Sequence, residues 1–307
     1  VCSSDLARKN QLPALLMVHS TNIGLLEHVL TKEESSYKII KEISGLVGEA
    51  VRYDMDGQAM ESASFDGVVI DFESMKGDIL KEAFNNFLLN LRKELPAHKK
   101  IYVAVHPALG KGQSYYDAYD YRSIGEIADK VILMAHDYYP RTLTEADMSK
   151  GFNSGALAPI DSVYYSLSKI TDDKTGVRDT SKIQLQICFD WIEYLTKEGE
   201  TIRNSPGKYS LPNFLDLFNS YKPVVNYDKR QESPYLEFTD SDAITHTVWY
   251  EDERSLEAKI RLARFFGIND ISLWRLGNVP QYNPQYNTAY TDNFLDIWGK
   301  IMEMMRR

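Results

Sequence analysis

The chain has 307 residues, 43% of them hydrophobic and 26% charged, and carries a net charge of −9. That length holds one large α/β domain or two ordinary ones, and the acidic balance argues against a nucleic-acid partner, which needs a basic face. The two cysteines, Cys2 and Cys188, stand outside any C-x-x-C or zinc spacing, and no apolar run is long enough to span a bilayer. Neither a disulfide framework nor a membrane partner is expected.

The opening VCSSDL (Val1–Leu6) resembles the translation of a sequencing adapter, so residues 1–10 are expected to be artefactual or disordered and the natural chain to continue upstream. LPALLMVHS (Leu12–Ser20) is a short apolar run ending in polar residues, the pattern of a strand covered on both faces. Helical spacing of apolar residues follows over Ser36–Val51. FDGVVIDFE (Phe65–Glu73) is a strand, and DILKEAFNNFLLNLRKEL (Asp78–Leu95) is an amphipathic helix stopped by Pro96. KIYVAVHPA (Lys100–Ala108) and KVILMAHDYYP (Lys130–Pro140) are strands separated by a short helix over Ser123–Asp129. A helix over Pro159–Ile170 and a strand over Lys182–Tyr194 come next. A helix over Ser255–Gly267 and a last strand, DISLWRLGN (Asp270–Asn278), complete the pattern.

Six strands alternating with helices, each with its polar residues at the C-terminal end, predict a parallel α/β sheet whose site lies at that end. The segment 196–246, rich in Tyr, Asn, Pro and charge, fits no single α/β unit. It is read as a rim insertion between the last two strands, part of it strand (PVVNYD, LEFT, THTVWY).

FDGVVIDFESM carries three acids, Asp66, Asp71 and Glu73, in an otherwise apolar stretch. A carboxylate removed from water costs several kcal/mol unless it is paired or neutralised, so these acids need a reason. Residues two apart share a strand face, which puts Val69, Asp71 and Glu73 together with Glu73 nearest the mouth. Close carboxylates do not both ionise easily, and one of them then holds a proton at higher pH, as a general acid must. The alternative is a salt-bridged pair meeting a Lys or Arg. Asp137 beside His136, and Trp274 at the last strand's end, complete a constellation able to surround a sugar ring, with the Trp as its floor. A metal reading built on His19, His106 and His136 has no spacing motif behind it.

DGVVIDFE resembles the D-G-x-D-x-D-x-E signature of family 18 glycoside hydrolases, MAHDYY its M-x-Y-D strand, and WRLG its last strand. The run VWYEDERSLEAKIRLARFFGINDISLWRLG is most similar to the branch containing spore-germination and cortex-lytic cell-wall enzymes. The resemblance covers roughly Leu12 to Gly277 and implies a (β/α)8 TIM barrel lacking its first two strands, with the catalytic barrel over 11–307. It implies a retaining, substrate-assisted glycosidase that cleaves β-1,4 bonds next to N-acetylglucosamine in peptidoglycan or chitin-like glycans. On this mapping Glu73 is the acid/base, Asp71 orients the substrate acetamido group, and Asp137 contacts it. Trp274, His136, Tyr138, Asp66 and Trp191 are substrate-binding, with no metal and no cofactor. A monomer acting on GlcNAc-containing polysaccharide or oligosaccharide, outside the cell or in the cell wall, is implied. Two departures point toward the alternative of a non-catalytic glycan-binding barrel. Val69 replaces the middle acid of the signature, and His136 replaces the tyrosine of M-x-Y-D.

Overall fold

A computed structural model of the chain describes residues 6–7, 9–48, 52–53, 59–60, 65–109, 116–139, 143–149, 154–206, 216–218, 220–280 and 294–306. The expectations for Val1–Asp5, for a helix end at Val51 and for a strand end at Pro140 lie outside these residues. Within the first ten residues the described ones make a helical turn, with the Asn10 amide donating to Leu6 and Ala7 carbonyls at 3.2 and 3.1 Å. The chain divides into two compact units, Val1–Leu133 with Lys169–Gln184, and Met134–Ser168 with Leu185–Arg307.

The first unit is α/β. Strand β1 (Leu15–Ser20) is followed by helices α1 (Ile23–Thr31) and α2 (Glu33–Val47) and a short ribbon, β2 (Arg52–Tyr53) with β3 (Ala59–Met60). Then come β4 (Gly67–Phe72), α3 (Gly77–Glu94), β5 (Lys100–Val105), α4 (Tyr121–Ile127), β6 (Lys130–Leu133) and the opening of β7 (Ile183–Cys188). β1 pairs with β4, β4 with β5, and β5 with β6, all in parallel. Such a sheet is buried on both faces, which is why β4 and β5 read as near-continuous apolar runs. The α3 stripe Leu80, Phe84, Phe87, Leu88 and Leu91 is buried at helical spacing, and Phe84 and Phe87 pack on Phe72 of β4. Gly67 opens β4 where a Cβ would stand 2.2 Å from the Lys100 carbonyl oxygen, so only glycine fits there.

The second unit carries α5 (Glu145–Ser149), most of α6 (Ile160–Ile170), and the rest of β7 flanked by β13 (Asp270–Trp274). Its largest feature is a five-stranded antiparallel sheet in the order β10 (Val224–Asp228), β11 (Ser233–Thr239), β12 (Thr245–Trp249), β8 (Ile192–Lys197), β9 (Glu200–Pro206). Alternation gives this sheet two buried faces. Leu236, Phe238 and Val248 pack with Trp191, Leu217, Tyr250 and Leu295, while Ile192, Tyr194 and Trp249 pack with Ala156 and Leu157. Helices α7 (Glu253–Phe265) and α8 (Ile297–Met305) follow the sheet in sequence. Together the two units hold the six strands of the parallel α/β pattern, β1, β4, β5, β6, β7 and β13.

All six predicted strands are shorter than expected, two of them by the most. KVILMAHDYYP leaves the ladder after Leu133, where the His136 amide turns back to the Met134 carbonyl at 2.8 Å and Asp137 takes a left-handed φ of 61°. KIQLQICFDWIEY is two strands, because β7 ends at Cys188 and the chain re-enters as β8 in the antiparallel sheet. An unbroken apolar run carries no mark of a strand changing sheets. No helix among the described residues is long and apolar enough to cross a membrane.

Candidate active site

In the first unit, β4 buries Val68, Ile70 and Phe72 on one face and turns Asp71 and Glu73 to the other. The Glu73 amide donates to the Ser20 carbonyl at 2.9 Å, carrying the β1–β4 ladder one residue past the end of β4 and fixing the direction of Glu73. Register does the rest. His19 of β1 is the partner of Asp71, so the two side chains stand side by side. His19 Nδ1 lies 3.0 Å from Asp71 Oδ2 and 3.6 Å from Glu73 Oε1. His106, just past β5, brings Nε2 to 3.4 Å from Glu73 Oε2, close enough for charge attraction but too poorly aligned for a hydrogen bond.

Asp71 is 4% exposed and Glu73 is partly open to solvent. Burial first, and the Glu73 charge second, push the Asp71 carboxyl above its ordinary value, against the pull of His19 and His106. Asp71 Oδ1 has no hydrogen-bond partner. Tyr119 is held protonated, chiefly by burial and then by the charges of Glu73 and Asp71, and its hydroxyl donates to the Phe72 carbonyl at 2.6 Å. His106 is walled by the rings of Tyr116 and Tyr119 at 4.5 and 5.8 Å, and Tyr121 donates to its carbonyl at 2.7 Å. Here, then, are a buried carboxyl that keeps its proton unusually well, a more open one beside it, and two histidines on the carboxylate oxygens.

The raised value gives the Asp71 charge a cost in stability. An acid whose folded value exceeds its unfolded one binds its proton more tightly in the native state, so stability falls as pH rises above the ordinary value of 3.8. Asp71→Asn removes that loss. It is expected to melt at higher temperature than the wild type at pH 7, with the gap closing as the pH drops toward 4, by calorimetry at both values. A gap that widens in acid would contradict the burial argument.

The second unit presents its own cluster. His136 is 9% exposed and spans Asp137 Oδ2 at 3.0 Å and Gln186 Oε1 at 2.8 Å, so both ring nitrogens face protein acceptors. The Tyr138 hydroxyl donates to Ser166 Oγ at 2.8 Å inside the core. Trp274, half-buried, ends β13, and its carbonyl accepts the Phe189 amide at 2.6 Å. Two residues expected to touch substrate have structural posts instead. Trp191 is 3% exposed in the core beside the antiparallel sheet. Asp66 lies before the N-terminal end of β4, where its carboxylate takes the Ala14 amide at 2.7 Å and its carbonyl the Lys100 amide at 3.0 Å. That is the end of the strand away from Asp71 and Glu73, so Asp66 anchors β1 and is not brought to them. Tyr119 and Gln186 were not legible as partners, because nothing near them in sequence marks what they meet.

The model of the glycosyl hydrolases of family 18 matches residues 10–278. The cortical fragment-lytic enzyme of Bacillus anthracis is 28% identical over 230 residues, 72% of this chain and 48% of that protein. The chain thus spans about half the length of the curated relatives it matches first. The spore cortex-lytic enzyme SleL of Bacillus cereus superposes with a TM-score of 0.69 at 24% identity, over 95% of this chain and 62% of SleL. A chitinase from Chromobacterium violaceum ATCC 12472 does so at 0.69 and 19% identity, over 100% of this chain and 85% of its own. The structural likenesses speak for the α/β fold alone. The acid pair at the end of β4 and the match over 10–278 together place the chain in family 18 of the glycosyl hydrolases.

Proposed function

We propose that the chain is a retaining glycosidase that cleaves β-1,4 bonds next to N-acetylglucosamine in peptidoglycan or chitin-like glycans with help from the substrate's own acetamido group. The observation that carries this reading is the pair Asp71 and Glu73 turned to one side at the end of β4, with Asp71 buried and Glu73 partly open to solvent beside it. Glu73, the more open acid, gives its proton to the leaving glycosidic oxygen. The acetamido oxygen attacks the anomeric carbon as the bond to the leaving sugar breaks, and the resulting positive charge spreads over an oxazolinium-like ring. Asp71 accepts the acetamido N–H and balances that charge. Water then adds to the anomeric carbon from the side the leaving group vacated, losing its proton to Glu73, and the configuration is retained.

Asp137 and Trp274 enter this scheme from the family pattern, as a contact to the acetamido group and as the floor beneath the sugar. On the same pattern the six parallel strands are the third to eighth of a (β/α)8 barrel, with the antiparallel sheet at its rim. Action in the cell wall or outside the cell, by a monomer, fits the reading. A non-catalytic glycan-binding role is favoured by one set of contacts. His136 and Tyr138, both expected to bind substrate, are engaged with Asp137, Gln186 and Ser166.

The test is the need for the acetyl group. A chromogenic GlcNAc oligomer is expected to be hydrolysed, and the same oligomer with free 2-amino groups to be refused by a factor of at least roughly 10³, because the internal nucleophile is gone. Equal turnover of both would end the substrate-assisted scheme. Binding of the acetylated oligomer with turnover of neither would establish the binding role.

A further inference from the structure

We propose that His19, Asp71 and Glu73 also form a binding site for a divalent cation of the zinc class, and that a bound ion and glycoside hydrolysis exclude each other. Only the second half rests on the glycosidase reading; the first stands on geometry alone. One nitrogen of His19 and one oxygen each of Asp71 and Glu73 lie within 4.8 Å of one another. The two edges that meet at His19 Nδ1 measure 3.0 and 3.6 Å. Zinc bonds of about 2.0–2.1 Å in a tetrahedron set ligand atoms about 3.3 Å apart, between those two edges. Ligands from two strands, one of them an imidazole, are a set that zinc and cobalt take more readily than magnesium, which prefers oxygen and water.

A further observation points to a cation. Asp71 is buried to 4% exposure with Oδ1 unbonded, a carboxylate with acceptor capacity that the fold does not fill. The His19 side chain is 46% exposed and Glu73 25%, which leaves a path for entry and an outward position for water. An ion so placed takes the lone pair that would hold the Glu73 proton, and thereby stops acid catalysis.

The experiment is a titration of metal-stripped protein with cobalt(II) chloride, in a Cys2→Ser background so that this thiolate contributes nothing. Saturable visible bands of tetrahedral intensity are expected at one ion per chain. His19→Gln is expected to weaken binding at least roughly tenfold, since a ligand matters no less than its supporting partners. Asp71→Asn, whose fold is expected to be the more stable one, should weaken it as well, and His28→Gln should not. Zinc is expected to displace cobalt and magnesium to leave it in place. No bands, or bands equal in wild type and His19→Gln with both folded by circular dichroism, would overturn the site. In parallel, zinc is expected to inhibit hydrolysis less in His19→Gln than in wild type, and chelator to preserve activity. Activity lost on chelation would overturn the exclusion, whereas a stripped wild type that binds cobalt yet never hydrolyses would sink the glycosidase reading and leave the metal site standing.

Discussion

Glu73→Gln is expected to lower kcat on a GlcNAc oligomer by about 10²–10⁴-fold, the usual contribution of a positioned acid or base, while KM changes by no more than a few-fold. The replacement keeps the side chain's shape, but it has no proton to give at the pH of the assay. Removing the Glu73 charge also removes the second largest cause of the raised Asp71 value, so Asp71 should ionise more readily in the variant. The fold should therefore be at least as stable as the wild type. A control separates chemistry from damage. An aryl glycoside whose phenolate leaves without protonation should lose less in its first step than a substrate whose leaving group is another sugar. A variant that cleaves the oligomer as fast as the wild type, or one that loses equally on both substrates in that step, would remove Glu73 from the acid role.

How far the sequence carries depends on whether a signal is local. β4 was legible because alternation on a strand is fixed by two-residue geometry, and that alone puts Asp71 and Glu73 on one face. The α3 stripe was legible for the same reason at helical period. What Asp71 meets was not. His19 lies 52 positions away, and only the parallel register of β1 on β4 sets the two side by side. Asp66 looked like a third acid of the same set because it lies five residues from Asp71 along the chain. In an extended strand that is about 16 Å, so it belongs to the opposite end of β4. Trp191 sits in an apolar run whose pattern is that of one strand; the break after Cys188 sends it into a core instead. Aromatic residues report burial more reliably than they report sugar.

Lys259 is the residue whose part the sequence hid most completely, and Lys259→Ala carries the largest expected loss of stability, about 3–5 kcal/mol. It occupies an inward position of α7, in line with Leu256, Ile260 and Ala263, and is 1% exposed. Its Nζ donates to Glu251 Oε2 at 2.9 Å, and Ser255 Oγ donates to the same oxygen at 2.6 Å. Ser255 also closes the capping box with Asp252, so the ion pair and the start of α7 form one network. Burial holds the Glu251 carboxyl above its ordinary value even against the pull of Lys259. Without the ammonium it must either remain a buried, unpaired anion or take up a proton. The damage should accordingly be smallest near pH 4.5, the ordinary glutamate value, and grow as the pH rises. Denaturant melts at pH 5 and pH 7.5 test the sign. The pair itself is a weak stabiliser, because the two ions repay little more than their own desolvation. Lys259→Met with Glu251→Leu is therefore expected to return to within about 1–2 kcal/mol of wild type, while either change alone does not. A double variant as unstable as Lys259→Met would mean that the methylene packing of the lysine, and not its charge, is what α7 depends on.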